Sequence, residues 1–372
     1  MIYPVDFEQK LGFDQIRSKI KSYCLSNAGA GWVDRIKFSA NPEFIRVLLK
    51  QNLEFRQILE KGETFPSRHF FDADEWLAKI SLAGNWLEAE EFLKISYALQ
   101  TVSDCKAFIQ KMKDTYPELF RLSEPVLVAE GLIKAVHATI DDKAIVRDSA
   151  SAELAAIRKK LRDEQSRLRR IADQIFRSAV HEKWVPEGAL PTIREGRVVI
   201  PILAEFKRRM KGFILDESAT GQTVFMEPAE MLDANNEIRE LEHSEKREVI
   251  RILVQLTDSF RTEIDSLRLA FQFLAQIDFI RAKAKFSLDV NADLPVLDKH
   301  PEMVWYNARH PLLFMSLKGK REVVPLNIEL SQHDRMLLVS GPNAGGKSVA
   351  LKTIGLLQYM VQCGLLIPLS DR

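Results

Sequence analysis

Cysteine is scarce in this chain: its 372 residues include three, Cys24, Cys105 and Cys363. Their spacing matches no metal site and three thiols cannot all pair, which excludes a zinc module and a disulfide scaffold and suits a reducing compartment. An excess of one charge sign is missing too. Lys and Arg number 53 against 52 Asp and Glu, so the net charge is +1 and any surface for nucleic acid has to be local. No uninterrupted apolar run approaches the ~20 residues that cross a bilayer. The first residues, with Asp6 and Glu8, lack the basic-then-apolar order of a secretory signal. A cytoplasmic protein with no membrane partner is expected. No recognition helix or zinc finger is visible, so base reading is not expected.

What is present is most specific near the C-terminal end. Gly341-Pro342-Asn343-Ala344-Gly345-Gly346-Lys347-Ser348 fits GxxxxGK[ST], with an apolar run, Met336 to Val339, before it and a helical pattern after it. Glycines let the backbone curl so that successive N–H groups face one anion, and the following helix adds its positive end. Lys347 is placed to reach the β- and γ-phosphates of ATP and Ser348 to ligate Mg²⁺. Met336 to Val339 is expected as the strand leading into the loop. A P-loop ATPase also needs an apolar strand ending in acids, and after Ser348 only Leu365 to Leu369, broken by Pro368 and followed by Asp371, remains. The expectation is therefore the N-terminal part of a longer protein, cut inside its ATPase domain. Its catalytic acid lies beyond Arg372, and the isolated chain lacks turnover.

Upstream the patterns change character three times. Residues 1–130 read as helices: Phe7, Leu11, Phe13, Ile16 and Ile20 begin one pattern, Asn41-Pro42 opens another through Leu59, and Leu87 to Met112 form a third. Trp76, Trp86, Phe92 and Tyr97 are expected in that core. Within residues 131–183, Leu154, Leu161, Leu168 and Ile175 recur by sevens with Ile157 and Ile171 on the same seam. The other faces of this helix carry Arg158, Lys159, Lys160, Arg162, Arg167, Arg169 and Arg170, a solvated face or a nucleic-acid contact. Residues 184–228 switch to period two, with Arg197 to Ile200, Gly212 to Leu215 and Thr223 to Phe225 as strands of a small antiparallel unit. Residues 229–290 return to a helix or near-continuous pair of helices, about 75 Å long at 1.5 Å per residue. Two long helices flanking a small β unit make antiparallel arms with that unit at the tip. Residues 291–372 hold short apolar pieces between prolines and then the phosphate loop. The fold class expected is multidomain and mainly α: a helical core, lever helices, a β clamp, and the start of an α/β ABC-type P-loop domain.

This order, together with Ala308-Arg309-His310-Pro311-Leu312 and Gly341-Pro342-Asn343-Ala344-Gly345-Gly346-Lys347, resembles the MutS family of DNA-clamping ATPases. Leu215-Asp-Glu-Ser-Ala-Thr-Gly221-Gln-Thr-Val-Phe-Met-Glu227-Pro228 resembles the clamp segment of its MutS-two branch, and the resemblance covers essentially the whole chain. It implies a homodimer in which ATP binding and hydrolysis move the arms and gate a channel around branched or duplex DNA, restraining homologous recombination. It also implies an alternative target, stalled ribosomes or their RNA. A C-terminal nuclease module, frequent in the family, is expected to be absent here. Mismatch reading is not implied, because the chain begins with the helical core. Its single Phe-x-Glu, Phe225-Met226-Glu227, reads as a strand end. The rival class is an SMC-type coiled-coil tether, in which the phosphate loop would precede the arms.

By this resemblance Gly341, Pro342, Asn343, Ala344, Gly345, Gly346, Lys347 and Ser348 hold the triphosphate and metal, and Val323 and Val324, with Pro325, grip the base. His310 is read as structural. For DNA the local candidate is Lys207, Arg208, Arg209 and Lys211, four cations in five residues, against a solvated hairpin turn as the plain alternative. The helix after the phosphate loop, with Val349, Leu351, Ile354, Leu356, Leu357, Met360 and Val361, is expected to be disordered or covered by another chain.

Overall fold

The computed structural model describes residues 4–298, 300, 302–342 and 345–370, so Pro301, Asn343, Ala344, Asp371 and Arg372 lie outside the described residues. The chain is mainly helical with two small sheets. It divides into two compact units, one of residues 1–81, 94–133 and 262–372, the other of residues 82–93 and 134–261.

Eight helices open the chain: α1 (Phe7–Leu11), α2 (Phe13–Lys21), α3 (Asn27–Asp34), α4 (Pro42–Glu60), α5 (Asp74–Ser81), α6 (Ala89–Lys111), α7 (Pro117–Ser123) and α8 (Glu130–Thr139). Their boundaries follow local chemistry. Gly12, at φ 82°, ends α1 and starts α2 in a conformation that glycine adopts without strain. Ser26 caps α3 through the Gly29 N–H, and Asn41 caps α4 through the N–H groups of Glu43 and Phe44, with Pro42 in the first turn. Trp76 and Phe92 are buried, as expected of core aromatics, whereas Trp86 and Tyr97 are half-buried.

After α9 (Ala152–His181) come β1 (Thr192–Arg194), β2 (Arg197–Leu203), β3 (Gly212–Glu217) and β4 (Thr223–Pro228), then α10 (Leu232–Thr262) and α11 (Ile264–Asp289). The expected long helical return is therefore two helices, broken at Glu263. The four strands form one antiparallel sheet in the order β1-β2-β4-β3. β1 was not foreseen. Arg158 on α9 pairs with Glu245 on α10 at 2.7 Å, and Ser151 donates to Glu248 at 2.6 Å. Residue numbers fall along α10 as they rise along α9, so the two helices run antiparallel. Leu168, Ala172 and Ala179 from α9, Ala234 and Ile238 from α10, and Ile200, Ile202, Val224 and Met226 from the sheet share one core.

Glu227 ends β4 with 1% of its surface exposed. Both its oxygens accept from Arg197 Nη1, at 2.7 and 3.0 Å, and Asn235 of α10 donates to it at 2.8 Å. Asn235 also exchanges hydrogen bonds with the Val198 backbone, so the strand end, β2 and α10 are fastened at one point. The Phe225-Met226-Glu227 triplet is thus structural.

In the first unit α11 packs against α2, α3, α4 and α5. Its Asp278 is fully buried and accepts from the backbone N–H groups of Leu25 and Ser26, holding the start of α3. Burial pushes the Asp278 carboxyl up, and these hydrogen bonds work in the opposite direction. Downstream lie β5 (Met303–Ala308), α12 (Pro311–Leu317), β6 (Leu326–Leu330) and α13 (Lys347–Gln362), with β5 and β6 antiparallel. The strand expected over Met336 to Val339 does not form. Met336 is 94% and Leu338 92% exposed, and no partner strand lies beside them among the described residues, so the backbone has no ladder to join.

Replacing Arg197 with Ala strands a buried carboxylate, and the second unit is expected to lose about 3 kcal/mol. Denaturant unfolding followed through Trp184, which packs on this core, measures it. An unchanged midpoint would show that Asn235 alone satisfies Glu227.

Candidate functional site

The phosphate loop opens α13, a helix of 16 residues. Gly346 is its N-cap at φ 84°, a conformation a side chain would strain, and no side chain caps the helix start. The first backbone N–H groups therefore face outward at the positive end of a four-turn helix, which suits an anion. Lys347 is half-buried and its Nζ donates to the Gly341 carbonyl, so the ammonium is folded over the loop it would serve. Ser348 is exposed. Gly341, Pro342, Gly345 and Gly346 flank the residues outside the described set, Asn343 and Ala344.

The far half of α13 is seated in the helical core. Leu356, Leu357, Tyr359, Met360 and Val361 are buried together with Phe13, Ile16 and Ile20 of α2 and Phe286 of α11. Those residues were expected to be disordered or covered by another chain, and the structure corrects this: their apolar face meets α2 and α11 of its own unit. The near half differs, since Val349 is 44% and Leu351 73% exposed. The Tyr359 ring stands edge-on to Phe7 and Phe13, with centroids 5.3 and 4.8 Å away. Its hydroxyl donates to Glu8 at 2.6 Å, and Glu8 also takes two bonds from Arg17 at 2.7 and 2.9 Å. Burial works against the Glu8 charge, but the hydrogen bonds from Arg17 and Tyr359 outweigh it and hold the carboxyl below its ordinary value. At the end of the helix Gly364, at φ 74°, turns the chain where an added Cβ would lie 2.5 Å from Leu48. Lys283 of α11 is buried over the Phe279 ring, 3.4 Å from the Gly364 carbonyl, and burial pushes its ammonium down to about 7. None of Glu8, Arg17, Lys283 and Tyr359 stood out in the sequence, because each sits singly in an ordinary amphipathic stretch.

Val323 is half-buried and lines, with Pro325, a cleft of ≈ 680 Å³, whereas Val324 is 88% exposed. Beside it Arg309 and His310 lead into α12. His310 is 9% exposed and caps the helix with its backbone, its carbonyl accepting from the Phe314 N–H at 2.9 Å. Burial first, then the Lys352 charge, push its imidazole down, and its Nδ1 has no hydrogen-bond partner among the described residues. A neutral, enclosed ring fits the structural reading.

Lys207, Arg208 and Arg209 form a turn between β2 and β3, and Lys211 follows; all four side chains are exposed. Met210, in their midst, is buried in the core of the second unit. On α9, Lys159, Lys160, Arg169 and Arg170 are exposed, while Arg158 is committed to Asp148 and Glu245.

No family model matches the chain. Curated relatives do. A protein described as endonuclease MutS2 from Finegoldia magna is 32% identical over 364 residues, covering 97% of this chain and 45% of the relative. Its namesake from a Geobacillus species is 33% identical over 97% of this chain and 46% of its own length. Another, from Pelotomaculum thermopropionicum, is 36% identical over 307 residues, 81% of this chain and 38% of the relative. The chain thus spans less than half the length of these relatives.

Lys283 yields a pH test of the α13 seat. Its proton is lost in the folded state near pH 7 and in the unfolded state near the ordinary 10.5, so the unfolded chain binds more protons between these values. Stability contributed by this site should therefore rise with pH through that window. Lys283→Met is expected to flatten the rise in thermal midpoint between about pH 7 and 9; a midpoint profile that keeps its slope would place the titration elsewhere.

Proposed function

The chain belongs to the MutS2 family, and from that premise we propose that it supplies the phosphate-binding and nucleic-acid-clamping parts of a MutS2-type ATPase. The observation that carries this reading is the seat of α13. A loop of phosphate-binding form begins a helix whose far half is locked among the helices of its unit, so a charge bound at the loop acts on a fixed element. Gly341, Gly345, Gly346 and Lys347 would hold the phosphates, with Asn343 and Ala344 between them, and Ser348 the Mg²⁺. The uncapped helix start and the folded-over Lys347 fit that group. Bound ATP and Mg²⁺ would supply the phosphoanhydride and the charge that neutralises it. This chain's own part is to orient the phosphates with backbone N–H groups and to place a cation against them.

The second part of the proposal is a clamp. The antiparallel α9 and α10 carry the sheet of β1 to β4, and the exposed turn Lys207 to Lys211 would meet backbone phosphates without reading bases. Duplex or branched DNA is the partner proposed, in a homodimer whose arms respond to nucleotide. The endonuclease activity in the relatives' name is assigned to no residue of this chain. Among the described residues no three His, Cys, Asp or Glu side chains stand together as a metal site, and no helix is long and apolar enough to cross a membrane.

Two measurements test the two parts separately. Lys347→Ala should weaken ATP binding by about tenfold or more while leaving the helical content unchanged; equal affinity would remove the loop from the site. Changing Lys207, Arg208, Arg209 and Lys211 to Ala should weaken duplex binding and reduce the slope of log affinity against log salt by up to about 3.6. An unchanged slope would return the turn to solvent and leave the exposed face of α9 as the nucleic-acid surface.

A further inference from the structure

The cleft beside α12 has a charge that the reading above does not use. Its wall includes Arg309, Phe314, Lys318, Lys320, Arg321 and Glu322, four cations against one carboxylate. They are gathered by the backbone. The α12 helix ends at Leu317, whose carbonyl accepts from the N–H groups of Lys320 and Arg321 at 2.8 and 3.1 Å, and Gly319, at φ 78°, lets the chain reverse. The reversal brings Lys318, Lys320 and Arg321 to the same opening as Arg309, which precedes the helix. The Arg309 backbone is held in turn by its N–H bond to the Pro368 carbonyl, at 3.1 Å, and its guanidinium lies over the Phe314 ring at 5.9 Å. Among the described residues none of the four cations has a carboxylate within ion-pair distance.

We propose that this cleft is an anion site of its own, for a diphosphate group, separate from the phosphate loop. The alternative is that it houses only the base of a nucleotide whose phosphates lie on that loop. Charge decides between them. A purine base is neutral, and gathering an excess of three positive charges around it would cost repulsion that nothing repays. A diphosphate cancels that excess, and guanidinium forks and ammonium groups are the side chains that bind its oxygens. The volume, ≈ 680 Å³, falls in the usual range for small-molecule sites and leaves room beside a diphosphate for a nucleoside against the Phe314 ring. The group can therefore arrive free, as pyrophosphate, or carried as a nucleoside diphosphate.

Binding of pyrophosphate and of ADP is measured by titration calorimetry on the 372-residue chain, on Lys347→Ala, and on Lys320→Ala/Arg321→Ala. Pyrophosphate should bind Lys347→Ala within about twofold of the parent and bind the cleft variant at least about tenfold more weakly. If ADP follows the same pattern, the nucleoside-borne source is accepted; if ADP depends on Lys347 alone, the free anion is the ligand. Loss of all pyrophosphate binding in Lys347→Ala, or parental affinity in the cleft variant, overturns the proposal. Should the double variant lose helical content, Arg321→Gln with the salt dependence of pyrophosphate binding takes its place, and an unchanged dependence has the same consequence. Failure of ATP to bind the parent chain would count against the phosphate loop instead, leaving the pyrophosphate result to be judged by itself.

Discussion

The burial of one end of α13 is the constraint on which the rest of the first unit depends. A helix can present uncapped N–H groups to solvent at one end only if something else fixes its axis, and here this falls to the last two turns. Apolar burial supplies the bulk of it, since Leu356, Leu357 and Met360 are fully enclosed. Direction comes from polar groups. The Tyr359 hydroxyl, the Glu8 carboxylate and the Arg17 guanidinium form a chain of charge-assisted bonds, and Arg17 continues it to the carbonyls of Val33 and Ile36. Close approach at Gly355, where a Cβ would stand 3.3 Å from Leu11, allows α1 to lie against the helix. Every one of these contacts reaches back to the first 40 residues, so the start and the end of the sequence are joined in one core.

The second unit solves a different problem. A four-stranded sheet is too small to bury both faces, and it is stabilised by packing on α9 and α10. Its edge strand β3 is left open, with Phe213 57% and Ile214 42% exposed. The register shift between Ile214 and Asp216 and the cations just before the strand are devices that discourage another strand from adding there. Arg194 crosses the sheet face, its guanidinium 4.4 Å from the Phe225 ring and 2.9 Å from Asp216. The sheet is thus tied across its width by a side chain as well as by its ladder.

How much of this could be read from sequence depended on whether the signal was local. The sevenfold spacing of Leu154, Leu161, Leu168 and Ile175 determines a helix by itself, and α9 formed where that spacing lies. The strands over Arg197, Gly212 and Thr223 were likewise visible from alternation and turn residues. Met336 to Val339 has the composition of a central strand but not its neighbours, and a strand is a property of its partners. Thr192 to Arg194 escaped notice for the converse reason: three unremarkable residues become a strand because β2 lies beside them. At the candidate site the phosphate loop was legible because its chemistry needs consecutive residues. The cleft was not, since Lys318, Lys320 and Arg321 look like a solvated turn until Arg309 and Phe314 are brought to the same wall.

Met210 interrupts the basic turn with a side chain that is 8% exposed and belongs to the core of its unit. A loop of five cationic residues would otherwise sample many arrangements, and an anion would have to freeze one of them at an entropic cost. Anchored at its fourth residue, the turn holds its charges at a nearly fixed spacing before any ligand arrives. Recognition then depends on whether the ligand's own charge spacing fits, and the apolar residue in the run, which touches no anion, sets the selectivity of the cations around it.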